Sequence, residues 1–323
     1  MDEVRIGFIP LVDCAVIVAA GEMGFAERHG IRMVLSREPS WAAIRDKVAF
    51  GVLDAAHMLA PMPVAMTLGL GGQPAVPMVA PWGLGGGGNA ITVSAALHRA
   101  MAEADPGATT GPAALRARAL GKVAAARRVA GRPRLRLASV HPFSCHEYEL
   151  RSWLAEGGVD PEAVDLLVIP PPRMVENLAN GLVDGFCVGE PWNALAEAEG
   201  LGRTVATKDD VAPGAPEKVL GLTRRWAEAH PGILARLGDA LADASAWAAG
   251  HPADLVGMLA RPEFVGLAPE IIAHPVSRCS PGCDPLTSAQ CRWLAGQMRR
   301  WGQAGPSLNA ERMAALFGYS VHA

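Results

Sequence analysis

Hydrophobic and polar positions alternate along the chain in a pattern that predicts repeated strand–helix units. Residues 4–9 predict a first strand, 15–28 a helix, 31–36 a second strand and 41–50 a second helix. Short β-rich runs that alternate with helical periodicity are typical of α/β proteins with largely parallel sheets. We therefore predict an α/β fold.

The same pattern continues beyond the first fifty residues. Further strand-like runs lie at 75–80, 91–94, 135–140, 166–170, 186–188 and 219–223. The stretch 95–134 is rich in Ala, Arg and Gly, which predicts a surface helix and linker rather than a site. Amphipathic helices are predicted around 231–250, 286–302 and 310–317 and form most of the C-terminal third.

Length and composition limit the classes of protein to which the chain can belong. Its 323 residues exceed the size at which one hydrophobic core usually keeps growing, so two lobes are predicted. Half of the residues are apolar and 19% are charged, which supplies a large core. The formal net charge of −3 provides no basic field for a polyanion, so direct nucleic-acid binding is not expected.

The stretch 55–98 contains no Asp, Glu, Lys or Arg, a feature that it shares with membrane-spanning segments. Five prolines, at positions 61, 63, 74, 77 and 81, divide it into pieces shorter than the roughly 20 apolar residues of a spanning helix. The stretch therefore predicts buried sheet and a ligand cleft, and we expect no membrane span.

The first residues and the cysteines indicate the cellular compartment of the protein. The chain begins with Asp2 and Glu3 directly before a strand-like run, without the basic leader and long apolar region of a signal peptide. This start predicts a cytoplasmic protein whose six cysteines are reduced. The spacing of Cys279, Cys283 and Cys291 does not match a common zinc motif, and neither a metal nor another cofactor is predicted.

Two segments near strand ends place hydrogen-bond donors where α/β proteins bind ligands. Ser40 is a plausible N-cap, so Trp41 would lie in the first turn of a helix beside free backbone N–H groups, which suits a small anion. Alternatively, Trp41 only packs between elements. The glycine run 85–88 permits close approach of the backbone and leaves Asn89 as a donor, although it could equally be a flexible connection between lobes.

Two further segments supply an imidazole and an ammonium group. His146 follows a predicted strand and lies near a second helix N-terminus. Lys218 precedes a strand in an apolar context and could offer a full positive charge, unless it is an ordinary exposed loop lysine. Together with Trp41 and Asn89 these groups form a donor set that suits an anion. The set lacks the paired carboxylates, metal triad or Ser/His/Asp arrangement of common hydrolases, so we do not predict an enzyme.

Several of these segments resemble a known family. The segments FIPLVDCA (8–15), SWAAIRDK (40–47), DAAHMLAPMP (54–63), PPPRMVEN (170–177) and FCVGEPW (186–192) are similar to those of the nitrate- and bicarbonate-binding proteins of ABC importers. The resemblance runs from residue 4 to about 275 and weakens in 95–134. It implies a two-lobed periplasmic-binding-protein fold of type II, with lobe 1 formed by 1–92 and 195–323, lobe 2 by 93–194, and an anion between them.

The resemblance also implies a set of ligand contacts. The family's tryptophan after the second strand matches Trp41, its helix-opening histidine before a Trp-Leu-Ala stretch matches His146, and its Pro-Glu-Lys lysine matches Lys218. Asn89 stands where the importers carry a glutamine, so the preference between nitrate and nitrite stays open. In the implied arrangement Trp41 forms a flat wall, Lys218 balances the charge, and His146 and Asn89 contact oxygen atoms.

Within this family the chain is most similar to a cytosolic branch, the NasS-type nitrate/nitrite sensors. These proteins resemble importer binding proteins and hold an RNA-binding antiterminator of the ANTAR class (NasT-type) inactive until nitrate or nitrite binds. The resemblance thus implies a sensor that releases this partner when the anion binds. The alternative is the substrate-binding component of an importer of nitrate, bicarbonate or a related anion.

Overall fold

The computed structural model describes residues 1–318 and divides the chain into two compact units. The first unit contains 1–86, 143–145 and the chain from 215 onward, and the second contains 87–142 and 146–214. The sequence analysis predicts that the chain passes from one lobe to the other at 92/93 and 194/195. The structural boundaries differ because strands at 89–94 and 202–207 pair with each other in the second sheet, which assigns both to the second unit.

The elements follow in chain order. The strands are β1 (Asp2–Phe8), β2 (Ile31–Arg37), β3 (Ala55–Leu59), β4 (Met78–Gly83), β5 (Asn89–Ser94), β6 (Leu135–Ser139), β7 (Val164–Val168), β8 (Gly185–Gly189), β9 (Gly202–Thr207) and β10 (Lys218–Thr223). The helices are α1 (Ala15–Glu22), α2 (Phe25–Arg28), α3 (Trp41–Ala49), α4 (Pro61–Leu68), α5 (Ala95–Ala104), α6 (Ala113–Val129), α7 (Cys145–Glu156), α8 (Met174–Ala179), α9 (Trp192–Ala198), α10 (Lys208–Val211), α11 (Arg224–Ala229), α12 (Pro231–Gly250), α13 (Pro252–Leu259), α14 (Pro269–Arg278), α15 (Ser288–Arg300) and α16 (Ala310–Phe317).

Each unit is built on a five-stranded mixed sheet, and the two sheets share one pattern. The first sheet has the order β2-β1-β3-β10-β4 and the second β7-β6-β8-β5-β9. In the first, β10 runs antiparallel to both of its neighbours, and in the second β5 does the same. The other strands of each sheet run in a common direction, so the prediction of largely parallel sheets is confirmed except for this one reversed strand.

Each sheet lies in its own hydrophobic core. In the first unit, apolar residues of α1 and β1 pack with those of α12. Helix α12 begins with a proline and buries Leu234, Leu237, Leu241 and Ala244, a three-to-four-residue spacing that places one apolar stripe against the core. The second unit has a separate core around β5, β6 and α6.

The prediction and the structure differ in several elements. The helix predicted over 15–28 is interrupted because Gly24 has a φ of +71°, which divides it into α1 and α2. Strands β3 and β9 were not predicted. The surface helix and linker predicted over 95–134 correspond to two helices, α5 and α6, and α6 also buries Ala117 and Leu120 in the second core.

Candidate functional site

Trp41 opens α3, as the sequence predicts. The hydroxyl of Ser40 accepts a hydrogen bond from the backbone N–H of Ala43 at 3.2 Å, which confirms the predicted N-cap. The Trp41 side chain is 1% exposed and meets the ring of His57 edge-on, with 5.2 Å between ring centroids. Its indole Nε1 is buried and has no hydrogen-bond partner among the described residues. Trp41 therefore packs between elements and also carries an unsatisfied donor, which is rare in protein interiors.

Lys218 is the first residue of β10 and is fully buried, so the alternative of an exposed loop lysine is wrong. Its Nζ lies 2.6 Å from Oδ2 of Asp13 and 3.8 Å from Oε2 of Glu217. Burial alone lowers the pKa of Lys218, but the negative charges of Asp13 and Glu217 outweigh it and hold this pKa above its ordinary value. Lys218 is therefore a buried, charged ammonium group that already has a carboxylate partner.

Asp13 joins Lys218 to His57. Oδ1 of Asp13 lies 3.1 Å from Nε2 of His57, whose side chain is fully buried. These contacts have ion-pair distances, although the Asp13 oxygens and His57 Nε2 lack hydrogen-bond geometry with the described residues. Burial raises the pKa of Asp13, but the charge of Lys218 and then that of His57 outweigh it and hold this pKa well below its ordinary value. Asp13, Trp41, His57 and Lys218 form a buried group that we call the Asp13 cluster.

Asp13 and His57 are functional candidates that the sequence analysis missed. Both lie in segments quoted for the family resemblance, but neither received a role. Each is one polar residue in a run of apolar ones, within a turn at Val12–Cys14 and within β3 respectively. A lone ionisable residue in an apolar run is the signal that could have identified them, because burying it requires a partner.

The two other predicted ligand residues belong to the second unit. Asn89 begins β5, is 1% exposed, and its Nδ2 donates to Oε1 of Glu149 at 3.2 Å. Glu149 Oε2 also lies 3.9 Å from the Sγ of Cys187. His146 is 1% exposed in the first turn of α7, which confirms its predicted place at a helix N-terminus. The Asn89 amide is thus partly committed to a carboxylate of its own unit.

The structure brings Trp41 and Lys218 into one cluster, linked through His57 and Asp13, and places Asn89 and His146 in the other unit. Within residues 1–318, no helix is both long and apolar enough to cross a bilayer. The same residues contain no group of three or more His, Cys, Asp or Glu side chains arranged to hold a metal ion.

The burial of His57 and Asp13 predicts a loss of stability in acid. Burial outweighs the attraction of Asp13 and lowers the pKa of His57, so the unfolded chain takes up a proton below about 6.5 that the folded chain refuses. Stability should fall by up to about 1.4 kcal/mol per pH unit below this value. The low pKa of Asp13 adds a second loss only below about pH 4, where the unfolded carboxyl takes up a proton first.

Urea unfolding at pH 7, 6 and 5 measures the loss of stability that His57 causes. We expect His57→Gln to show a weaker dependence between pH 7 and 5 than the wild type. The exposed His274 provides the control, and His274→Gln should keep the wild-type dependence. Equal pH dependence in the wild type and His57→Gln would contradict the assignment.

Comparisons with known proteins agree with this architecture. The chain is 41% identical over 272 residues to the nitrate import ATP-binding protein NrtC of Synechocystis sp., an alignment that covers 83% of this chain and 38% of that protein. It is 34% identical over 253 residues to the nitrate/nitrite binding protein NrtA of Synechococcus elongatus, covering 76% of this chain and 54% of that protein. The chain thus spans about half or less of the length of these relatives.

A solved structure gives the fold. The crystal structure of the periplasmic nitrate-binding protein NrtA from Synechocystis PCC 6803 superposes with a TM-score of 0.86 at 23% identity, covering 98% of this chain and 85% of that chain. The predicted periplasmic-binding-protein fold is thereby confirmed. The model of the NMT1-like family matches residues 1–256, most of the chain. The chain is therefore a member of the NMT1-like family.

Proposed function

We propose that the chain binds nitrate or a similar small monovalent oxyanion and that it acts as a ligand-binding protein, not as an enzyme. The observation that carries this proposal is the buried indole Nε1 of Trp41, which lacks a partner among the described residues and belongs to the same cluster as the ammonium of Lys218. The names of the relatives, one for nitrate import and one for nitrate/nitrite binding, support nitrate.

The chemistry of the cluster suits a planar oxyanion. An indole N–H can donate to one oxygen while the flat ring excludes water, and an ammonium carries three N–H donors, more than one carboxylate contact uses. Nitrate has four heavy atoms, so at a ceiling of roughly −1.5 kcal/mol per atom the most favourable binding free energy expected is about −6 kcal/mol, a Kd on the order of tens of micromolar. The contacts that the sequence analysis expects from His146 and Asn89 stay predictions.

Isothermal titration with nitrate, nitrite, bicarbonate and sulfate tests the proposal. We expect saturable binding of nitrate or nitrite and a Kd about tenfold higher for Trp41→Phe, which keeps an aromatic ring but loses the N–H donor. Trp247→Phe is the matched control, since Trp247 stacks on His251 and lies outside the cluster. Silence with all four anions would refute the proposal, and wild-type affinity in Trp41→Phe would remove Trp41 from the site.

Binding of nitrate is compatible with two physiological roles. The relatives named for nitrate import and binding support a role as the substrate-binding part of an ABC importer. The second role is the one that the sequence predicts, a cytoplasmic sensor that releases an ANTAR-type antiterminator when nitrate or nitrite binds. It rests on the resemblance to NasS-type sensors alone, so the importer role has the broader support.

Titrating the chain with a purified NasT-type antiterminator, with and without nitrate, separates these roles. A complex that nitrate dissociates would favour the sensor, because the ligand would then bind the free chain better than the complex. No affinity for the antiterminator would leave the importer role.

A further inference from the structure

The Asp13 cluster has no excess positive charge with which to hold an anion. The Asp13 carboxylate and the Lys218 ammonium cancel at 2.6 Å, and the burial that lowers the pKa of His57 keeps that ring neutral near pH 7. The carboxyl group of Glu217 lies 3.8 Å from the same ammonium and adds negative rather than positive charge. A buried anion without a matching positive charge is costly. The cluster as it stands therefore has no surplus positive charge for an anion.

The ring of His57 is the group in the cluster that can supply this charge. The titratable groups facing it are Asp13, from the turn at Val12–Cys14, and Lys218, from β10 beyond Asp13; α3 contributes the Trp41 ring. Nε2 lies 3.1 Å from Oδ1 of Asp13, and because a carboxylate only accepts, we assign the hydrogen of the neutral ring to Nε2. Nδ1 then holds a bare lone pair, and it is buried without a hydrogen-bond partner among the described residues.

A bare lone pair repels an anion, whereas a proton on Nδ1 makes the same atom a charged donor. We infer that the site takes up its monovalent oxyanion together with one proton from solvent, which binds at Nδ1 of His57, while Asp13 holds Lys218 and the ring in place. This inference rests on the proposed function. It also gives the ligand class, because one proton offsets the charge of a monoanion, so that binding leaves the net charge of the site unchanged, whereas a dianion such as sulfate adds one negative charge.

Nitrate is the suitable probe, because it is the anion of a strong acid and any proton taken up must go to the protein. We expect titration at pH 7.5 in HEPES and in Tris, buffers with different heats of ionisation, to give an uptake close to one proton per nitrate bound. The Kd should then rise by up to about tenfold for each pH unit above 7. Sulfate should bind at least about tenfold more weakly than nitrate.

Three variants locate the proton. His57→Gln should bind nitrate more weakly, with a pH-independent Kd and an uptake near zero, while His146→Gln should keep the uptake although its affinity changes. His29→Gln removes another His–Asp pair of the first unit, at 2.9 Å from Asp243, and should keep the wild-type uptake.

Nitrate binding without proton uptake by the wild-type chain would overturn the inference while leaving the proposed function intact, and this result needs no variant to fold. Uptake that persists in His57→Gln, or that disappears in His146→Gln, would also overturn it, because the proton would then bind elsewhere. Absence of any nitrate binding would refute the proposed function and the inference with it.

Discussion

Lys218→Met is expected to abolish nitrate binding and to lower the free energy of unfolding by about 3–5 kcal/mol, the usual cost of removing one partner of a buried ion pair. The substitution keeps the volume of the side chain but leaves the Asp13 carboxylate buried beside a neutral His57. The sequence alone predicts that Lys218→Ala would abolish binding without unfolding the chain. The ion pair with Asp13 changes the second half of that prediction.

A double variant separates binding from stability. Asp13→Asn combined with Lys218→Met removes both charges, so we expect it to recover most of the lost stability and none of the nitrate binding. Lys122→Met is the control, because Lys122 pairs with Asp105 at the surface and such pairs contribute less than about 1 kcal/mol. Urea unfolding and nitrate titration of the four proteins measure both effects. A Lys218→Met variant as stable as the wild type would show that the Asp13 carboxylate does not depend on this ammonium.

Local patterns were sufficient to predict most of the fold. The N-cap of α3 is a signal carried by Ser40 itself, and the stripe of α12 lies within one helix, so both are legible in a short stretch of sequence. Strand β3 was missed because all five of its residues are buried, which leaves no alternation of polar and apolar positions to mark it. The reversed strand of each sheet was missed because pairing direction is set by distant parts of the chain.

The candidate site was predicted only in part for a similar reason. Trp41 and Lys218 stood out by residue type and by position beside a predicted helix or strand. The contacts of Asp13 join a turn near the N-terminus to β3 and β10, and sequence periodicity carries no information about such a meeting. The donor set inferred from the sequence therefore omitted the carboxylate that neutralises its one ammonium.

The close approach that the sequence predicts for the glycine run 85–88 occurs in the structure, but it serves a contact within the protein. The sequence predicts that 85–88 allows close approach of a backbone, and the backbone that approaches is that of Ser280. The N–H of Gly86 donates to the Ser280 carbonyl at 3.1 Å, and the N–H of Ser280 donates to the Gly86 carbonyl at 2.9 Å. The two segments thus form an antiparallel bridge within the first unit.

Gly85→Ala is accordingly expected to destabilise the protein by more than about 4 kcal/mol. Gly85 has a φ of +95°, and a Cβ at this position would lie 2.1 Å from the Ser280 carbonyl oxygen, a backbone atom that no side-chain rotation moves away. Either the bridge between Gly86 and Ser280 opens or the 279–284 segment shifts. Positive φ and steric overlap therefore act together at this residue.

Gly72→Ala separates the two causes, because Gly72 has a φ of +74° but open space around the added Cβ. This control should cost about 1–2 kcal/mol, the price of a left-handed conformation alone. Urea unfolding of both variants gives the difference, which measures the close approach of Ser280. Equal losses in the two variants would mean that the 279–284 segment shifts at no cost in free energy. Steric overlap between the added Cβ and Ser280 would then contribute nothing to the destabilisation by Gly85→Ala.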